Sequence, residues 1–212
     1  MNKLNIKQFR EDTYRAINAL QDISGQKILS FRAPAFSITE ANKWAFEILA
    51  ENGIVNDASI FPTTRDFGGY RGFPSDTPCK IKYNGITLNE FPIPLYKIPI
   101  VNKNIPFSGG GYFRLLPYSF VKNCIKRSEH SICYFHIEDF LKNDTHKLMT
   151  RQEYEDYFKE TGTLIKRISR HFKSNVGRGN SFNNFQKLLK DFHFTSINKF
   201  SLENKEWQLI EL

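Results

Sequence analysis

Three polar side chains follow short apolar segments at the positions where an α/β enzyme carries its site. Arg32, Asp57 and His136 each come at or near the end of such a segment. An arginine guanidinium can bind a carboxylate through two hydrogen bonds, and a histidine can transfer a proton near neutral pH. Because the carboxyl ends of parallel strands meet at one edge of a sheet, we expect these three residues to converge on one rim.

Each residue also has a plain structural interpretation. Arg32 by itself could tie down a loop, and Asp57 could be a turn residue before Ser59. His136 could be a buried, hydrogen-bonded core histidine. The residue types alone leave these alternatives open.

A glycine triplet forms a further candidate binding segment. Gly109–Gly111 precedes Tyr112, Phe113 and Arg114, and the segment lacks the GK[ST] ending of a P-loop. Consecutive glycines permit close approach of the backbone, and an aromatic ring beside them could stack on a sugar. A flexible surface loop is the alternative.

The spacing of the metal-ligating residue types does not predict a metal site. No two of the five histidines are three or four residues apart, and no cysteine and histidine cluster has zinc spacing. The three cysteines are widely separated, which favours reduced thiols in a cytosolic compartment. The charged N-terminus is unlike a signal peptide, so we expect a cytoplasmic protein without a transmembrane segment.

The elements that would position these residues follow from hydrophobic periodicity and stop signals. Strands alternating with helices predict an α/β fold with a mostly parallel sheet. We see no repeat and no linker, so the prediction is a single domain over residues 1–212. The predicted helices are 5–23, one capped by Thr39 and closed by Gly53, 117–127, 151–172 and 181–191, and the predicted strands are 27–31, 55–61, 131–137 and 192–198, with 88–96 extended.

The net charge of +8 raises the question of a nucleic-acid partner. Residues 166–190 carry seven lysines and arginines and no acidic residue. Such a stretch could follow a phosphate backbone, but apolar residues at helical spacing between the charges favour solvated helix faces. No nucleic-acid motif accompanies the stretch, and we expect no nucleic-acid partner.

Five segments in order resemble one enzyme family. FRAPAFSIT, NDASIFP, SGGGYFRLLPY, CYFHIEDF and HFKSNVGRGNSFNNFQKLLKDFHF are similar to the polysaccharide deacetylases, the NodB-homology group of carbohydrate esterases, in the branch encoded with bacterial surface-polysaccharide loci. The resemblance runs from about residue 8 to about residue 198. It implies a distorted (β/α)₇ barrel that removes N- or O-acetyl groups from a cell-surface or lipid-linked saccharide with a divalent metal (zinc, cobalt or manganese).

The resemblance also implies roles for individual residues. Arg32 would steady the catalytic base, Asp57 would tune the catalytic histidine, and His136 would be the general acid. The amide of Ala35 would stabilise the oxyanion. The implied substrate-binding residues are Ala35, Gly110, Gly111, Tyr112, Phe113 and Arg114.

The sequence departs from the family pattern in two places. Ile137 stands where the family commonly has a proline after the histidine. The Asp-Asp and His-x-x-x-His motifs, which supply the base and the metal ligands, would precede residues 5–23 and do not occur. We therefore interpret the chain as the C-terminal two-thirds of the family domain, with no metal ligands of its own and little activity alone. We further expect an open sheet whose uncovered edge favours association. The alternative is a carbohydrate-binding pseudoenzyme.

Overall fold

The computed structural model describes residues 4–64, 68–98, 103–128, 130–141, 147–203 and 206–212. Its strands are β1 (Ser30–Phe31), β2 (Asn56–Asp57), β3 (Cys79–Tyr83), β4 (Ile86–Glu90), β5 (Leu95–Ile98), β6 (Lys103–Pro106) and β7 (Leu209–Glu211). Its α-helices are α1 (Ile6–Ser24), α2 (Ala45–Glu51), α3 (Gly110–Leu115), α4 (Tyr118–Arg127), α5 (Arg151–Phe158), α6 (Leu164–Asn175), α7 (Arg178–Asp191) and α8 (Ile197–Glu203).

The described residues form two compact units. The first unit lies within Met1–Ile105, His130–Ile132 and Phe194–Leu212. The second lies within Pro106–Glu129 and Cys133–His193. Arg32, Ala35 and Asp57 belong to the first unit, whereas the glycine triplet and His136 belong to the second.

The first unit is built on an open five-stranded sheet in the order β1-β2-β4-β3-β7. All neighbouring strands are parallel except β3 and β4, which form an antiparallel hairpin. Asn84 and Gly85 turn this hairpin with positive φ angles of 46° and 84°, as Asn-Gly turns do. The mixed α/β class and the mostly parallel sheet are confirmed, while the described strands do not close into a barrel.

The core of the first unit lies between this sheet and helices α1 and α2. Helix α1 begins with a capping box at Asn5 and ends at Gly25 in the left-handed conformation. It buries Phe9 and Ile17, and Phe9 packs edge-on against Trp44. The helix predicted over 5–23 is thereby confirmed. None of the helices within the described ranges is long and apolar enough to cross a membrane.

Two predicted strands are wrong. In residues 131–137, only Tyr134 forms a bridge, to Gly109, and a 3₁₀ helix follows over Ile137–Phe140. Residues 192–198 connect α7 to the start of α8, and Phe194 is 41% exposed. Both segments are short apolar runs with aromatic residues, a pattern that also suits an irregular segment packing its rings onto helices.

Candidate functional site

The guanidinium of Arg32 lies just past the end of β1 and is fixed by two contacts. Its Nε donates to the carbonyl of Ala58 at 2.9 Å, beyond the end of the neighbouring strand β2. The guanidinium also lies 5.6 Å from the centre of the Phe36 ring. The residue is exposed. Arg32 therefore presents a positioned positive charge at the carboxyl end of two parallel strands.

The turn after Arg32 has an unusual backbone. Ala35 and Phe36 both adopt the left-handed conformation, with φ of 56° and 53°. Each such residue costs about 1–3 kcal/mol, so the surrounding structure must hold the turn in place. Ala35, whose amide the family resemblance assigns to the oxyanion, is exposed on this turn.

A glycine supports the strained turn from the outside. A Cβ atom added to Gly68 would lie 2.3 Å from the carbonyl oxygen of Phe36. The next residue, Gly69, donates its amide to that same oxygen at 2.9 Å. Phe36 also packs edge-on against Phe61, with ring centres 5.2 Å apart. The turn is thus held by backbone and aromatic contacts on two sides.

Asp57, at the end of β2, is completely buried. Its carboxylate accepts hydrogen bonds from the hydroxyl of Ser59 at 2.6 Å and from the Ser59 amide at 3.2 Å. The Ser59 hydroxyl in turn accepts from the Ala33 amide at 2.8 Å. Asp57 therefore acts on the Arg32 turn through Ser59 and presents no carboxylate to solvent.

Glu90 is the residue that sequence reasoning missed. It ends β4, pairs in register with Asp57 across the parallel β2–β4 ladder, and is also completely buried. Its Oε1 accepts the Ile60 amide at 3.1 Å, while Oε2 is buried and meets no donor among the described groups. A glutamate inside the apolar segment LNEFP was the available signal, since a buried acid needs a partner.

Burial changes the ionisation of this carboxyl pair. Desolvation raises the pKa of Asp57 and, together with the charge of Asp57, raises the pKa of Glu90 well above its ordinary value. A hydrogen bond between the two side chains raises the pKa of Glu90 further and acts to lower that of Asp57. The two carboxyl groups therefore form one buried, coupled pair in which Glu90 has the more strongly raised pKa.

The second unit places His136 at the start of a short turn. The residue precedes the 3₁₀ helix Ile137–Phe140 and is exposed, as is Ile137 at 81%. The carboxylate of Asp139 accepts the main-chain amide of His136 at 2.8 Å, which fixes the backbone there. The ring of Tyr134 lies edge-on to the imidazole at 6.3 Å. The side chain of His136 is therefore accessible for proton transfer.

The side chain of Arg114 is buried inside the second unit, where it contacts other residues of that unit. Its guanidinium lies 3.1 Å from Asp139 Oδ1, and both side chains are only 7% exposed. It also donates to the carbonyls of Lys173 and Ser174 at the end of α6. These contacts join α3, the His136 turn and α6. Arg114 therefore positions the backbone around His136.

A second buried arginine completes this arrangement. Arg178 donates from Nε to the Ser174 carbonyl at 2.6 Å and lies 3.7 Å from Glu138. Asp139, in turn, accepts from the Ser181 hydroxyl through its carbonyl. Glu138 and Asp139, which follow His136 in the sequence, are thus engaged by α7.

The glycine triplet allows close packing instead of a mobile loop. A Cβ added to Gly109 would lie 2.0 Å from the carbonyl oxygen of Tyr134, and one on Gly110 would lie 2.9 Å from the Tyr134 hydroxyl. Phe113 is buried against Phe135, with ring centres 4.9 Å apart, while Tyr112 is 42% exposed. Of the two rings considered for stacking on a sugar, only that of Tyr112 is accessible.

The described residues do not fit a divalent metal. They contain no group of three or more histidine, cysteine, aspartate or glutamate side chains placed to hold one. The strand-end carboxyls Asp57 and Glu90 are closed off in their own hydrogen-bonded pair. No chemical step can be derived through a metal from these residues.

A family model described as a domain of unknown function, DUF3473, matches residues 58–201, more than half of the chain. The chain belongs to the DUF3473 family. DUF3473 is a domain found in polysaccharide deacetylase-like proteins of surface-polysaccharide loci. No curated protein and no solved structure matches the chain. The DUF3473 match includes Glu90, the glycine triplet and His136, while Arg32, Ala35 and Asp57 precede it.

Proposed function

We propose that this DUF3473 protein is a deacetylase-type hydrolase that acts on N- or O-acetyl groups of a cell-surface or lipid-linked saccharide. Family membership and the five resembling segments support the substrate class. The observation that carries the proposal is the Arg32 turn. An exposed guanidinium, held at 2.9 Å from the Ala58 carbonyl and 5.6 Å from the centre of the Phe36 ring, stands beside a turn with two left-handed residues, one of which, Ala35, is exposed.

The residues of this chain would bind the substrate, orient it and donate a proton to it. The fixed guanidinium of Arg32 suits a carboxylate or a developing oxyanion, since its donors are already oriented before substrate arrives. The exposed imidazole of His136 suits protonation of a leaving amine or alcohol. A divalent metal would supply the activated water in this family, and the described residues provide no donor set for it.

A saccharide-binding protein without catalysis is the second candidate. The fully buried Asp57–Glu90 pair favours it, because these strand-end carboxyls cannot reach a solvent-exposed substrate or water. The exposed ring of Tyr112 would then contribute to sugar binding by stacking.

Acetate release and sugar binding, measured together, separate the two candidates. Residues 1–212 are incubated with N-acetylated chitin oligomers and with O-acetylated xylan, with and without added zinc. Released acetate is assayed, and binding is followed by saturation-transfer NMR. Acetate release that falls in His136→Ala supports the hydrolase, and binding without release supports the second candidate. If neither sugar binds, both candidates fail for these probes.

Matched substitutions test the Arg32 turn. Arg32→Lys keeps the charge but loses the planar pair of donors, so we expect weaker binding or turnover without loss of stability. Arg71→Lys, on another exposed arginine of the first unit, is the control. Equal behaviour of the two variants would remove Arg32 from the proposed site.

A further inference from the structure

Helix α6 has its apolar face turned to solvent. Leu164, Ile165, Ile168 and Phe172 fall on one side of the helix and are 55%, 81%, 50% and 65% exposed. The helix has no buried residue among its twelve. Four large apolar side chains in one exposed stripe are unusual on a monomer and mark an interaction surface.

The polar side of α6 packs onto the protein. Arg167 donates to the carbonyl of Met149 at 2.9 Å, and the Arg170 guanidinium lies 4.4 Å from the centre of the Phe158 ring. Together with His171 and Ser174, these arginines line a small pocket against Tyr154 of α5. Arg167 and Arg170 thus pack their side chains onto the protein, while the apolar stripe faces solvent. This is the reverse of the usual surface helix, so the outer face of α6 suits an apolar partner.

The charge of the chain segment that contains α6 indicates the charge of that partner. From Thr161 to Lys190 the chain has seven lysines and arginines and no acidic residue. Lys166 pairs with Glu160 at 2.9 Å, and Arg178 lies 3.7 Å from Glu138; both acids lie outside the segment. Lys166 and Lys173 are exposed on α6 itself, so the helix presents positive charge together with its apolar stripe.

We propose that α6 is an interfacial helix that binds an anionic lipid surface through Leu164, Ile165, Ile168 and Phe172. A strongly amphipathic helix with low overall hydrophobicity and many basic residues has the composition of helices that lie in the headgroup region. Anionic headgroups also attract nearby lysines and arginines. A second copy of the chain is a poorer occupant, because it would bring a second positive surface against the first. This inference does not depend on the saccharide chemistry.

Vesicle flotation of the full chain tests the proposal. Phosphatidylcholine vesicles are compared with vesicles that contain about one third phosphatidylglycerol. We expect the protein to float with the anionic vesicles, to bind neutral ones at least about tenfold more weakly, and to dissociate as NaCl rises from about 0.1 M to about 0.5 M.

Substitutions on α6 identify the surface. Ile165→Glu replaces a side chain that is 81% exposed, so folding is expected to be unaffected while vesicle affinity falls about tenfold or more. Ile23→Glu makes the same change at an 86% exposed position on α1 and is expected to leave vesicle binding unchanged. Circular dichroism melts of both variants check that each is folded.

Three results would overturn the proposal. The first is failure of the wild-type chain to float with anionic vesicles. The second is equal flotation of Ile165→Glu and the wild type. The third is a concentration-dependent dimer, seen by light scattering and abolished by Ile165→Glu, without vesicle binding, which would make a second copy the occupant.

Discussion

Asp57 and Glu90 face each other at the ends of two neighbouring parallel strands, where their carboxyl groups are completely buried and hydrogen-bonded to each other. Two ionised carboxylates cannot occupy such a site, because each would lose its hydration and repel the other. The pair joins three strand ends, since Glu90 accepts the Ile60 amide and Asp57 reaches the Ala33 amide through Ser59. The Arg32 turn begins at this network.

Glu90→Gln should change the pH dependence of stability. In the wild type the raised pKa of Glu90 lets the folded chain hold the Glu90 proton to a higher pH than the unfolded chain, which releases it above an ordinary pKa of about 4.3. The contribution of Glu90 to the stability of the wild type is therefore fully present below about pH 4.3 and is lost as pH rises through the folded pKa of Glu90. Glutamine keeps a donor for Asp57 and does not ionise.

We accordingly expect the stability of Glu90→Gln, relative to wild type, to rise with pH. The difference should grow by about 1.4 kcal/mol per pH unit between the two pKa values, as measured by urea unfolding at several pH values. Glu203→Gln, on exposed α8, is the control and should track the wild type. Parallel curves for Glu90→Gln and wild type would show that the pKa of Glu90 is not raised in the fold.

Ser59→Ala should loosen the Arg32 turn. The substitution removes the hydroxyl that donates to Asp57 Oδ1 and accepts from the Ala33 amide. Asp57 and Ala33 are both buried. Leaving these groups unsatisfied should cost about 1–3 kcal/mol in the free energy of unfolding. Ser75→Ala, at a more exposed position, serves as the control. Equal chemical-denaturation midpoints for the two variants would refute the network.

Gly68→Ala and Gly72→Ala separate steric contact from backbone strain. Both glycines have φ near +89° and +88°, so both substitutions impose the same left-handed cost. Only at Gly68 would the new Cβ meet the Phe36 carbonyl, at 2.3 Å, while nothing lies within 4 Å at Gly72. We expect Gly68→Ala to lower the free energy of unfolding by at least about 1 kcal/mol more than Gly72→Ala does. Thermal unfolding of the two variants measures this difference. Equal losses of stability would mean that Gly68 does not support the turn.

The Arg114–Asp139 pair should show strong coupling in a double-mutant cycle. Each side chain is only 7% exposed, so Arg114→Leu or Asp139→Asn alone should cost about 3 kcal/mol or more. The double variant should cost clearly less than the sum of the two. The exposed Arg151–Glu155 pair is the matched control and should show much weaker coupling. Additive losses at Arg114 and Asp139 would contradict a direct interaction.

Local sequence patterns predicted the helices with clear caps and periodicity. The helices predicted over 5–23 and 117–127 lie close to α1 (Ile6–Ser24) and α4 (Tyr118–Arg127). The helix predicted over residues 151–172 is divided, because Lys159 enters the left-handed conformation and Thr163 caps a new helix. Strands were predicted less well, since a run of four to seven apolar residues also suits an irregular segment. Cys79–Tyr83 and Leu209–Glu211, which pair in parallel, were not assigned at all.

The sequence by itself determined the mixed α/β class, the membership of the DUF3473 family and the basic character of residues 166–190. Only the tertiary structure paired Glu90 with Asp57, because the two residues are 33 positions apart and meet only when β2 and β4 align. It also turned the apolar face of α6 outward, which periodicity cannot decide, since a helical stripe has the same spacing whichever side meets the protein.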